Sequence, residues 1–176
     1  MGSGQQTAVS EIRRGRDPEG MTSMVQLATY LTALQRCEKS LADGLSAVAA
    51  QHSDEPEILG TAPLLASWSL EHVERLEAAL DAFGKKPPLD PKLLLSAVFG
   101  GPRKGATGLL NDLLELAMLA GEAQLLWALA GQGARVLRAD HLLDLCKTLP
   151  VQTDRQKIWL ETRIKSIAPQ LLIATG

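Results

Sequence analysis

At 176 residues and a formal net charge of −2, the chain has the length of one domain and lacks the basic excess of a nucleic-acid module. Apolar residues at 45% supply a sizeable core, and an aromatic content of 3% argues against base-stacking surfaces and against a β-rich fold. No uninterrupted apolar run reaches the roughly 18 residues that cross a bilayer, and the first residues lack the apolar stretch of a secretory leader, so a cytoplasmic protein with neither a membrane nor a nucleic-acid partner is expected.

Residues 1–20 are rich in Gly, Gln, Arg and Asp without a helical stripe, and read as a flexible tail ahead of a helical domain over 21–176. A first helix is expected to open on a capping box, Ser23 with Gln26. Its apolar face runs Leu27, Leu31, Leu34, Glu38, Leu41, Leu45, Val48 in alternating steps of four and three. Glu38 thus sits inside a leucine stripe, where a carboxylate needs a partner.

The stretch from His52 to Gly60 reads as a turn, and a second helix is expected from Pro63 to Phe83. Leu65, Trp68, His72, Leu76, Ala79 and Phe83 share its inner face. Gly84 and the Pro87-Pro88 pair end it. The long connection that follows, about 85–105, contains a short apolar segment, Leu93–Phe99, and suggests a crossover along a bundle.

Gly100–Thr107 has the glycine spacing of a phosphate-binding loop. Ala106 nevertheless stands where the phosphate lysine belongs, and no alternating β-α units surround it, so a crossover loop is the better reading.

A third helix, Thr107–Leu137, is expected to bury Glu115, Leu119, Glu122, Leu126, Leu129, Gly133 and Val136, its glycines implying close packing or a bend. The fourth is expected to start at a cap on Asp140 and to break at Pro150. The pieces are then Asp140–Leu149 and Asp154–Ile173, with Thr153 to Gln156 as a fresh capping box. Leu160, Ile164, Ile167 and Leu171 line the second piece.

Core carboxylates and a core histidine in such helices are the informative chemistry. Di-metal bundles gather a Glu from each of two helices and a Glu-x-x-His pair from each of the others. In helix order, crossover and these positions the chain resembles the ferritin-like superfamily over about residues 24–173, and is most similar to the small stress-associated bacterial bundles of the YciE/YciF type. The resemblance implies an all-α, ferritin-like four-helix bundle with a long crossover between its second and third helices. It also implies metal ligands at Glu38, His72, Glu122 and Asp154.

The pattern is incomplete. Ser69 stands where the glutamate before His72 belongs, Val151 where the one before Asp154 belongs, and Arg155 is a cation beside the site. Two expectations follow. One is a non-catalytic bundle with a degenerate di-metal site, without a cofactor, acting by dimerisation or partner binding in a stress-related setting. The alternative is an iron- or manganese-binding oxidase or iron-binding protein.

The same residues also fit an internal polar cluster in which His72, Arg155 or Arg163 neutralises Glu38 and Glu122. Met118 reads as core filling, and Trp127 and Trp159 as packing or dimer anchors. Cys37 and Cys146 read as buried thiols in a reducing compartment rather than a disulfide framework.

Overall fold

The computed structural model describes residues 18–83 and 99–173. Among them every regular element is a helix: α1 (Pro18–Gln51), α2 (Pro56–Ala82), α3 (Gly105–Val136), α4 (Asp140–Thr148) and α5 (Pro150–Ile173). Only Leu149 separates α4 from α5, so together they form the fourth rod of an all-α bundle. The expected break at Pro150 is present, and proline takes the first position of α5, where a missing N–H costs nothing.

Close contacts fix the helix directions. α1 and α2 form a hairpin through a turn at residues 52–55, and Gln35 Nε2 donates to the Val73 carbonyl across it at 3.2 Å. Gly44 lies against Leu116, and Gly133 against Leu27, so α1 and α3 are antiparallel. On α5, Gln152 meets His72, Gln156 meets Leu65 and Arg163 pairs with Glu57, so α2 and α5 are antiparallel as well. α1 and α5 therefore run one way, α2 and α3 the other.

The two glycines suit these approaches, where a Cβ would have to displace a leucine side chain. A Cβ on Gly44 would come within 2.6 Å of Leu116 Cδ2, and one on Gly133 within 2.7 Å of Leu27 Cδ1. The close packing expected of the α3 glycines is thus found at Gly133. α3 ends in a Schellman cap: Arg138 takes φ 53, Ala139 N–H donates to the Ala134 carbonyl and Arg138 N–H to that of Arg135.

The leucine stripe of α1 is buried throughout, from Leu27 to Val48 with Glu38 among it, and so are Leu65, His72, Leu76 and Ala79 of α2. Several expectations are corrected. α1 begins at Pro18, so Ser23 lies within it and the expected tail boundary falls inside the helix. α2 begins at Pro56, with Pro63 inside the helix. Asp140 opens α4 behind Ala139 instead of capping it. The connection over 85–98, including Leu93, lies outside the described residues.

The largest correction concerns α3. Its buried face runs through Leu109, Asp112, Leu116, Leu119, Ala123, Trp127, Ala130 and Ala134. Leu129 and Val136, expected inside, face out, and so does Met118 at 63% exposure. α3 is also long and apolar enough by length and composition to cross a membrane. Its apolar residues surround the helix, so periodicity does not fix which side is inner.

Candidate functional site

A closed polar cluster sits at mid-height in the core and draws on all four rods. The Glu38 carboxylate, fully buried on α1, accepts through Oε1 from Trp127 Nε1–H at 2.7 Å and from Thr153 Oγ1–H at 3.2 Å. His72 Nδ1 approaches the same oxygen at 3.0 Å, off the line of a well-formed hydrogen bond. The other ring nitrogen, Nε2, meets Gln152 Oε1 at 2.8 Å, and the ring stands edge-on to Trp127.

Burial disfavours a charged His72 ring. The Glu38 contact and charge, with Gln152 and the more distant Glu71 charge, outweigh it and raise the histidine above its ordinary value. The geometry agrees. Oxygen acceptors flank both nitrogens, and only the imidazolium has a donor at each.

A neighbouring layer continues the network. Gln156 Nε2 donates to the Leu65 carbonyl at 2.7 Å and to Ser69 Oγ at 2.8 Å, all in the buried interior. The expected cap at Thr153–Gln156 is therefore not a cap: the helix already runs from Pro150, and both side chains are spent on core acceptors. Ser69, conspicuous in the sequence as a missing glutamate, is a hydrogen-bonding partner.

The sequence-predicted ligands divide. Glu38 and His72 are brought together. Glu122 is half-buried at the edge of α3, and its charge reaches Cys37. Asp154 is exposed, accepts from Gln124 Nε2 at 2.6 Å, and lines a surface pocket of about 200 Å³ with Arg135, Cys146 and Lys147.

Among the described residues no group of three or more His, Cys, Asp and Glu side chains converges as a metal site. The donor chemistry disagrees with one too. An indole N–H and a hydroxyl already occupy Glu38 Oε1, and an indole N–H cannot ligate a cation. The residues present do not fit a di-metal centre. Arg155 is exposed and Arg163 pairs with Glu57, so neither of the arginines considered for Glu38 serves it; His72 does.

Burial, then the Glu122 and Glu38 charges, push the Cys37 thiol far up, and its Sγ lies 3.4 Å from the Leu119 carbonyl. Burial alone raises Cys146 to about 11. Both cysteines are free thiols.

A second cluster escaped the sequence reading. Asp112, fully buried, accepts from Arg103 backbone N–H and from Arg103 Nη1–H, each at 2.8 Å, while Arg103 Nη2 reaches Glu115 at 2.5 Å. His52 Nε2 lies 3.5 Å from Asp112 Oδ2. Arg103 thus ties the loop ahead of α3 to its first turns. The glycine spacing has a structural cause here. Gly101 and Gly105 take φ of 99° and 76°, and a Cβ on Gly108 would come within 2.8 Å of the Arg103 backbone. The backbone N–H groups of Gly100 and Arg103 in this loop donate to the Glu115 and Asp112 carboxylates, at 3.2 and 2.8 Å.

Compared with protein-family models, curated proteins and solved structures, the chain matches none.

Proposed function

We propose that this chain is a ferritin-like bundle whose interior site is a hydrogen-bonded structural hub rather than a metal centre, and that it acts by associating with itself or with a protein partner. The observation that carries this reading is the Trp127 indole N–H held 2.7 Å from Glu38 Oε1, a donor where a ligand carboxylate would offer its lone pairs to a metal. The ferritin-like assignment draws support from helix direction. α2 and α3 run the same way, the arrangement that a long crossover between the second and third helices of such a bundle would give. The stress-related, cytoplasmic setting comes with the resemblance alone.

A second reading has one observation in its favour. Glu38 Oε2 is buried without a hydrogen-bond partner among the described residues, and a single divalent ion there would satisfy it. Elemental analysis of the native protein, expressed in metal-supplemented medium, separates the two. The hub reading expects no stoichiometric iron, manganese or zinc and a melting temperature unchanged by chelator. Stoichiometric metal that is lost in Glu38→Ala would replace it with the metal-binding reading.

A further inference from the structure

Among the described residues, the outward side of α3 leaves large apolar side chains uncovered. Leu114, Met118, Leu125, Leu129 and Val136 form one stripe on it, with Leu125 exposed at 74% and Val136 at 78%. At 1.5 Å per residue the stripe runs about 33 Å, far more than scattered surface leucines require. Gly121 lies on the same side. An added Cβ there would meet nothing nearer than Lys157 Cε at 4.0 Å, so internal packing does not demand glycine at a position where it weakens the helix by about 1 kcal/mol.

We infer that this face pairs with the same face of a second copy, α3 against α3, antiparallel about a two-fold axis at Leu125. The inference deepens the association reading above and rests on it. The occupant is a second copy because the stripe complements itself: Leu114 and Val136 lie equally far to either side of Leu125, and the two large residues without an apolar counterpart, Met118 and Leu129, fall opposite Gln132 and Gly121. An antiparallel pair in that register sets Leu125 against its own copy, Leu114 against Val136, and Leu129 against Gly121. Gly121 then supplies the hole that Leu129 enters.

Met118 falls opposite Gln132. There, between α1 and α3, an apolar groove of about 290 Å³ is lined by Leu27, Tyr30, Gln132, Gly133 and Val136. The groove holds a flexible side chain such as methionine, once on each side of the axis.

The area sets the strength. A strip about 33 Å long and 10–12 Å wide covers roughly 350 Å² per copy, and the groove walls add to it. The sum stays below the roughly 1,200 Å² total of standard interfaces, so the dimer is reversible and concentration-dependent.

Sedimentation equilibrium of the full chain tests this together with disulfide trapping. Expected are a concentration-dependent dimer for the wild type and at least a tenfold weaker one for Leu125→Glu, with unchanged circular dichroism. Under mild oxidant, Leu125→Cys links to itself, Leu114→Cys alone does not, and the Leu114→Cys/Val136→Cys double variant does. The wild type, with Cys37 and Cys146 intact, stays unlinked.

A wild type that remains monomeric overturns the inference, as does monomeric protein that co-sediments with phosphatidylcholine vesicles. Efficient self-linking of Leu114→Cys, which indicates a parallel pair, also overturns it. A dimer that survives Leu125→Glu refutes this face but leaves the association reading standing. Metal content tests the hub reading separately.

Discussion

Replacing Trp127 by phenylalanine removes one N–H from Glu38 and leaves most of the ring in place. The lost bond is short, 2.7 Å, fully buried, and made to a carboxylate. Hydrogen bonds to charged groups contribute about 1.5–3 kcal/mol. The smaller ring adds roughly 1 kcal/mol for the space it leaves. Trp127→Phe should therefore lose about 2.5–4 kcal/mol, a large part of the roughly 5–15 kcal/mol that holds a domain folded.

Urea unfolding followed by circular dichroism reads this as a lower midpoint at unchanged slope. Pairing the change with Glu38→Gln isolates the contact from the cavity, since a neutral acceptor leaves less for the indole to lose. The cycle should show coupling of about 1 kcal/mol or more. A loss under about 1 kcal/mol, or additivity within about 0.5 kcal/mol, would mean that the carboxylate does not depend on the indole, and the hub reading fails.

The His72–Glu38 pair also predicts a pH dependence. Because the folded state raises the proton affinity of His72, its contribution is complete below the ordinary imidazole range near pH 6.5, and is lost as pH rises through the elevated folded value. Urea midpoints should fall over that window, and His72→Gln should flatten the decline. Two helical glycines should respond oppositely to alanine. Gly133→Ala drives a methyl to 2.7 Å from the buried Leu27, an overpacking of about 1–3 kcal/mol that the helix gain of about 1 kcal/mol only partly offsets, for a net cost of up to about 2 kcal/mol, whereas Gly60→Ala meets nothing within 4 Å and should gain about 0.5–1 kcal/mol in the same unfolding assay.

What the sequence disclosed depended on how unequal the faces of each helix are. α1 alternates leucines with wet residues, so one stripe stands out, and Glu38 within it is conspicuous. His72 on α2 is legible for the same reason. α3 offers no such contrast. From Ala120 onward its inner face is built largely from alanines, Ala120, Ala123, Ala130 and Ala134 around Trp127, while larger apolar residues such as Leu125 and Val136 lie outside. A reading that ranks bulk above small size therefore selects the wrong phase, and hides Asp112 and the polar role of Trp127. Thr153 and Gln156 misled differently: hydroxyl and amide side chains suit a helix cap and a buried bond equally well. The partner that decides between them, Glu38 or Ser69, lies on another helix.

Leucine stripes alone leave the relative heights of the rods weakly defined, because one leucine substitutes for the next when a helix slips by a turn of about 5.4 Å. The Glu38 cluster removes that freedom. It takes its carboxylate from α1, its imidazole from α2, its indole from α3, and its hydroxyl and amide from α5. A slip of any one rod withdraws a donor from a buried charge, and breaking such a pair costs about 3–5 kcal/mol where an apolar mismatch costs less. The polar residues that look like remnants of a metal site thereby discriminate one helix register from its neighbours. That role gives a physical reason for a carboxylate in the core where leucine would fill the same stripe.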